Sequence, residues 1–184
     1  MTDKPKVSYP LFDSFKDKLK PRRSQAEIAL SQVNVFGRLT KHEIRIVEKN
    51  AHIRNFAPNE PIFKQGDPGN GMYIIIDGRV GIFLDIPNQE PKQLSELHDG
   101  DFFGEIALLD ESPRTAGATA LENSTIIGFY RPDLMDLLKI KPGIGSKILL
   151  SLSEVLATRL RSTNSELVKV SRQLEEILGQ QDDE

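Results

Sequence analysis

Two residues of opposite charge, Glu105 and Arg114, lie close together in one short stretch of this chain. Glu105 follows Gly104 and precedes a short apolar run with helical character, Ile106 to Leu109. A carboxylate accepts hydrogen bonds from hydroxyl groups, and a guanidinium matches the oxygens of a phosphate. Glycine allows close approach of the backbone, and the first N–H groups of a helical turn attract an anion. The stretch therefore predicts a site for the sugar and phosphate of a nucleotide.

The rest of the chain offers no residues for catalysis or for a metal. The three histidines, His42, His52 and His98, lack the spacing of metal ligands, and the chain contains no cysteine. A thiolate metal site and a disulfide are therefore excluded, and no nucleophile with a neighbouring base lies near Glu105 or Arg114. We expect a binding protein with no catalytic residues and no metal. The alternative is that the two charged residues form an ordinary surface ion pair.

The same stretch resembles the phosphate-binding cassette of the cyclic nucleotide-binding domain family, found in catabolite activators and kinase regulatory subunits. The matching residues are Phe103, Gly104, Glu105, Ile106, Ala107 and Leu108, followed by Pro113, Arg114, Thr115 and Ala116. The resemblance implies that Glu105 binds the ribose 2′-hydroxyl and that Arg114 pairs with the cyclic phosphate. It also implies that the N–H groups of Ile106 and Ala107 assist Arg114.

One part of the resemblance is imperfect. The family usually continues with Thr-Val after the cassette, whereas this chain has Gly117-Ala118. These smaller residues would loosen the wall of the pocket near the base. The resemblance covers roughly residues 33–165.

The choice of base rests on a second resemblance. In catabolite activators, a threonine and its polar neighbour on the long helix reach adenine, the neighbour from the other subunit. Thr163 and Asn164 match that pair, after Arg159-Leu160. We therefore expect cyclic AMP as the ligand. Cyclic GMP is the alternative, because Thr115 resembles a threonine that favours cyclic GMP in some relatives. Thr163 also has an alternative role, since a polar residue in a coiled coil can set its register without contacting a base.

Residues 51–131 have the pattern of short β-strands separated by turns. Met72 to Ile76 and Val80 to Leu84 flank Asp77-Gly78, a strong signal for a β-hairpin. Many short strands of this kind favour a jelly roll. We predict an α+β fold, mainly β, with a jelly-roll β-barrel flanked by N-terminal helices and a long C-terminal dimerisation helix.

The N-terminal helices are predicted from two capping boxes, Ser24 to Glu27 and Thr40 to Glu43. Their segment is similar to the family's N-terminal helices, which move against the barrel when ligand binds. They are therefore candidates for relaying the ligand state to another protein.

The long C-terminal helix is predicted from about Ile144 to Leu178, after a break at Pro142-Gly143. From residue 156 onward, residues on one face alternate in steps of four and three, as in a two-stranded coiled coil. They are Leu156, Leu160, Thr163, Leu167, Val170, Leu174 and Ile177. This pattern favours a homodimer over a helix packed only on its own barrel.

These elements give three parts: a basic tail over residues 1–23, the binding barrel with its N-terminal helices over 24–141, and the coiled-coil helix with an acidic tail over 142–184. In the first part, Phe12, Phe15 and Leu19 have helical spacing. We expect that segment either to dock on the domain or on a partner or to remain disordered; a membrane surface is a less favoured alternative.

The whole chain of 184 residues has a formal net charge of −3, which gives no overall attraction to nucleic acid. No apolar run is long enough to span a bilayer, so we expect a cytoplasmic location. Only polar residues and one glycine follow Leu178, so we expect no DNA-reading domain there.

The sequence thus predicts a cyclic nucleotide receptor that signals to an unknown protein effector. Two alternatives remain. One is a transcription regulator with a missing or separate DNA-binding part. The other is an adaptor that no longer uses ligand, against which Glu105 and Arg114 argue.

Overall fold

Eight β-strands pair into two four-stranded antiparallel sheets in a computed structural model that describes residues 23–181. The strands are β1 (His52–Phe56), β2 (Pro61–Phe63), β3 (Gly71–Asp77), β4 (Val80–Leu84), β5 (Lys92–Leu97), β6 (Phe102–Phe103), β7 (Gly117–Ala120) and β8 (Ser124–Tyr130). One sheet has the order β1-β8-β3-β6 and the other β2-β7-β4-β5.

Helices precede and follow this sandwich. They are α1 (Gln25–Gln32), α2 (Lys41–Glu48), α3 (Arg131–Ile140) and α4 (Pro142–Gln181), with 3₁₀ turns at Asn34–Phe36 and Glu105–Leu108. The predicted architecture of a jelly roll with N-terminal helices and a long C-terminal helix is confirmed. None of the described helices is both long and apolar enough to cross a membrane. The predicted basic tail of residues 1–23 lies outside the described residues except for Arg23.

The central strand β3 is buried on both faces, because successive side chains of a strand point to opposite sides. Met72 and Ile74 pack against the helices, in one core with Leu30 of α1. Ile75 packs in the second core, between the two sheets, with Val80 of β4. The apolar run of β3 therefore supports two cores, and the helices rest directly on the sheet that carries the start of the cassette.

The predicted hairpin at Asp77-Gly78 is wrong. Strands β3 and β4 belong to different sheets, so the turn between them carries the chain from one sheet to the other. Gly78 has a φ of 111°, and a Cβ atom there would lie 2.7 Å from the Cα of Ser124. Asp99 accepts a hydrogen bond from the Gly78 N–H at 2.8 Å. A tight turn therefore marks a corner of the sandwich here.

One of the two predicted capping boxes is complete. Thr40 and Glu43 exchange hydrogen bonds at the start of α2. Ser24 caps α1 by accepting from the Glu27 N–H at 2.9 Å, but the carboxylate of Glu27 is buried and pairs with Arg45 at 3.3 Å. The carboxylate of Glu27 thus joins α1 to α2 and does not complete a capping box.

Helix α4 begins at Pro142 rather than at Ile144, because a proline fits the first turn, where N–H groups have no helical partner. Its first turns bury Ile148 and Leu152 beside the N-terminal helices. Lys147 donates to both oxygens of Glu43, at 2.7 and 2.9 Å, which lowers the pKa of Glu43. The N-terminal helices are therefore tied to α4 by packing and by charge.

Candidate functional site

A pocket of about 500 Å³ opens beside the cassette. Gly104, Glu105, Ile106, Ala107, Arg114 and Thr115 line it, together with Phe63, Ile82 and Leu97 of the opposite wall and Arg159 of α4. The pocket is within the size range of small-molecule sites. Six of the eight predicted binding residues thus line one cavity.

The cassette backbone turns sharply at Gly104. This residue has a φ of 71°, in the left-handed region, and a Cβ atom there would lie 2.6 Å from Nη1 of Arg114. The helical run predicted after it is a single 3₁₀ turn, Glu105–Leu108, in which the Ala107 N–H donates to the Gly104 carbonyl at 3.2 Å. Glycine is required here both for the backbone conformation and for space.

Glu105 is only 3% exposed and faces a cation from a distant element. Nη1 of Arg159 lies 2.7 Å from Oε1 of Glu105. Arg159 also donates to the Phe102 carbonyl at 3.3 Å, and its guanidinium carbon lies 4.9 Å from the centroid of the Phe102 ring. The long helix α4 therefore contacts the site through Glu105, the residue that the family resemblance implies for the ribose.

Sequence reasoning missed Arg159 as a site residue. The only signal was its place in the segment Arg159-Leu160 that precedes Thr163-Asn164, one helical turn before Thr163.

Arg114 is a buried cation, 7% exposed. Nη1 donates to the Gly104 carbonyl at 3.0 Å and Nη2 to the Gly71 carbonyl at 2.8 Å, whereas Nε has no hydrogen-bond partner in the described part of the chain. Within residues 23–181, no carboxylate lies within 4 Å of this guanidinium. Burial lowers the pKa of Arg114, because a dehydrated cation lacks full compensation. Such a group is suited to receive an anion.

Thr163 and Asn164 are exposed on α4 and do not line the pocket. One chain alone does not bring them together with the cassette. Among residues 23–181, no group of three or more histidine, aspartate or glutamate side chains is placed to hold a metal ion.

Comparison with known proteins finds sequences and folds similar to this domain. A family model described as cyclic nucleotide-binding domain matches residues 53–141. The cyclic AMP receptor protein of Thermus thermophilus is 32% identical over 133 residues, which are 72% of this chain and 60% of that protein. A cAMP-dependent protein kinase regulatory subunit of Dictyostelium discoideum is 35% identical over 108 residues, which are 57% of this chain and 33% of that protein.

Solved structures agree with the sequence comparison. The crystal structure of the Thermus thermophilus catabolite activator protein superimposes with a TM-score of 0.68 at 31% identity, covering 75% of this chain and 63% of that one. This chain therefore spans less than two thirds of the length of these relatives.

Proposed function

We propose that the protein is a cyclic nucleotide receptor with cyclic AMP as its ligand, because residues 53–141 match the family model of the cyclic nucleotide-binding domain. We further propose that it acts on a protein partner and not as an enzyme. The observation that carries the proposal is Arg114, a buried cation at the edge of a pocket, with an unpaired Nε and no carboxylate partner among the described residues.

In this proposal each cassette residue has a distinct task. Arg114 pairs with the negative charge of the cyclic phosphate, supported by the N–H groups of Ile106 and Ala107. The Ala107 N–H must then share or leave its hydrogen bond to the Gly104 carbonyl. Glu105 accepts a hydrogen bond from the ribose 2′-hydroxyl. Since Arg159 already holds Glu105 at 2.7 Å, a sugar that binds Glu105 must share or replace that contact.

The contact between Arg159 and Glu105 also gives the ligand a route to the helices. A change at Glu105 acts on α4, and α4 is tied to α2 by Lys147 and Glu43. Movement of these helices is the signal that we propose for the protein effector.

The choice of cyclic AMP rests on Thr163 and Asn164, and on the relative whose name is cyclic AMP receptor protein. We propose that the exposed face of α4 pairs with a second copy of the chain, and that Asn164 of the partner subunit then reaches the adenine edge, because an amide can both donate and accept. Cyclic GMP is the alternative ligand, suggested by Thr115 in the pocket wall.

Calorimetric titration tests the proposal, with cyclic AMP, cyclic GMP and cyclic dinucleotides added to the purified protein. Arg114→Ala should weaken binding by tens to thousands of fold, since loss of a desolvated charged contact costs about 2–5 kcal/mol. The matched control is Arg54→Ala, because Arg54 also lies over an aromatic ring, Phe56, at 4.5 Å but does not line the pocket. Binding by Arg114→Ala within about twofold of wild type would refute the cassette assignment.

The same titration tests the base. Thr163→Val with Asn164→Ala should lower the affinity for cyclic AMP by about 1–3 kcal/mol, the scale of buried polar groups left without partners. A tenfold preference of the wild type for cyclic GMP would overturn the choice of adenine.

The second candidate is a transcription regulator, since the relatives include a catabolite activator protein. We expect no sequence-specific retention of DNA by this chain at physiological salt. A tight, sequence-selective shift in a gel would favour the second candidate.

A further inference from the structure

Arg114 is held on two sides. Backbone carbonyls of Gly104 and Gly71 accept from its terminal nitrogens. Its guanidinium carbon lies over two aromatic rings, 4.2 Å from the centroid of Phe63 and 5.5 Å from that of Tyr73. A cation over an aromatic face is stabilised most when water is excluded, and Arg114 is buried.

The rings beneath Arg114 form a cluster that joins the two sheets. Phe63 comes from β2 of one sheet, and Tyr73 and Phe103 are paired residues on β3 and β6 of the other. The centroids of Tyr73 and Phe103 are 5.5 Å apart with the rings nearly parallel, at 22°. Phe63 lies 5.5 Å from Tyr73 and 5.9 Å from Phe103. The cluster is therefore a continuous aromatic support.

Tyr73 differs from the other two rings because it does not line the pocket. It contacts the edge of Tyr130, with centroids 6.3 Å apart. Burial and the neighbouring Tyr130 raise the pKa of Tyr73, and the nearby Arg114 guanidinium partly opposes this rise, so the hydroxyl stays neutral at physiological pH. The hydroxyl of Tyr73 therefore lies near Arg114 as well as its ring, so the two contributions have to be separated by experiment. A ligand in the pocket therefore meets Arg114 and Phe63 but not Tyr73.

The geometry points to Tyr73 as a positioning residue for Arg114: its ring holds the guanidinium at the place where it meets an anion. This inference rests on the proposed function of the cassette. A guanidinium is planar and stacks on rings, which an ammonium does not do. An arginine that is ordered before the ligand arrives loses less conformational entropy on binding. The affinity for a phosphate ligand should then depend on a ring that the ligand does not touch.

The first test is the affinity of Tyr73→Leu for whichever cyclic nucleotide the wild type binds best. We expect a loss of about fivefold to thirtyfold, the range of a desolvated cation–π contact. Tyr73→Phe keeps the ring and should bind within about twofold of wild type. A loss in Tyr73→Phe as large as in Tyr73→Leu would assign the effect to the hydroxyl and overturn the inference.

A matched control separates positioning from packing. Phe56 belongs to the same core between the sheets, is 4% exposed, and lies beneath a different arginine, Arg54. Phe56→Leu should lower the melting temperature but leave the affinity unchanged. Equal losses of affinity in Phe56→Leu and Tyr73→Leu would mean that any damage to this core weakens binding, which contradicts the inference.

A double-mutant cycle makes the test specific for Arg114. In an Arg114→Ala background, Tyr73→Leu should change the remaining affinity by less than about twofold, because there is no guanidinium left to position. Losses that simply add would show that Tyr73 supports the pocket independently of Arg114, and would overturn the inference.

The final experiment needs no ligand. The Nε–H signal of Arg114 can be identified in NMR spectra by its loss in Arg114→Lys. Its chemical shift should differ from that of a free arginine because of the ring currents of Phe63 and Tyr73. Tyr73→Leu should move this signal and Tyr73→Phe should preserve it; an unchanged signal in Tyr73→Leu would overturn the inference. If the wild type binds no cyclic nucleotide, the proposed function fails, and this spectrum still decides the position of Arg114.

Discussion

At the scale of single residues, the site contains two buried charged side chains that have different kinds of partners. Glu105 has a cationic partner, Arg159, at 2.7 Å. Arg114 donates hydrogen bonds to two carbonyl oxygens and lies over an aromatic ring, but its Nε has no hydrogen-bond partner among the described residues. The negative group is therefore satisfied within the chain, whereas we propose that an anion from outside completes the positive group.

This difference predicts the effect of removing Arg159. Arg159→Gln leaves the buried carboxylate of Glu105 without its cation. Breaking a buried pair costs about 3–5 kcal/mol, but the Arg159 side chain is 48% exposed, so we expect water to reduce the loss of unfolding free energy to about 1–2 kcal/mol. Urea denaturation measures it.

The control for this prediction is Arg161→Gln, since Arg161 is exposed on the same helix and, among residues 23–181, donates only to the Thr158 hydroxyl at 3.2 Å. Adding Glu105→Gln to Arg159→Gln should restore most of the lost stability. Equal stability of the Arg159→Gln and Arg161→Gln variants would show that the ion pair contributes nothing to the fold.

At the scale of elements, the corner between β3 and β4 decides how the sandwich closes. The turn at Gly78 moves the chain from the sheet of β3 and β6, where the cassette begins, to the sheet of β4 and β5, which forms the opposite wall of the pocket. Both walls of the site therefore depend on the geometry of one turn.

Gly78→Ala should destabilise the protein by about 1–3 kcal/mol, the scale of a strained backbone position. The φ of 111° disfavours any L-residue, and the new Cβ would lie 2.7 Å from the backbone of Ser124. Gly143→Ala is the control, because its Cβ meets nothing within 4 Å in the first turn of α4. Thermal unfolding of both variants measures the difference, and similar melting temperatures would contradict the role of the corner.

At the scale of the whole molecule, α4 extends beyond the part that packs on the sandwich and presents an apolar face. Leu160, Leu167, Val170, Leu174 and Ile177 are each more than half exposed in the single chain. Exposed apolar residues in heptad positions are stabilised when a second helix covers them. A homodimer is therefore the assembly that we propose.

Leu167→Lys with Leu174→Lys places repelling charges on that face, so light scattering should report monomers. The matched control is Val168→Lys with Glu175→Lys, which has the same seven-residue spacing on an exposed neighbouring face of the helix. The control should remain a dimer. Dimers in both variants would show that the face does not join the subunits.

Sequence alone determined the features that depend on neighbouring residues. The cassette is one short segment, so the order of Gly104, Glu105 and Arg114 sufficed to predict that they share a pocket. The capping box at Thr40 and the strand at Met72 to Ile76 likewise follow from local patterns of side chains.

Tertiary structure alone decided which distant elements meet. A hairpin turn and a corner between sheets use the same local signal, Asp77-Gly78, because the signal specifies a sharp change of direction but not the strand that is paired next. In the same way, Glu27 closes no capping box because Arg45 from α2 binds its carboxylate. The contact of Arg159 with Glu105 exists only because packing of α4 on the sandwich brings together residues that no local pattern connects.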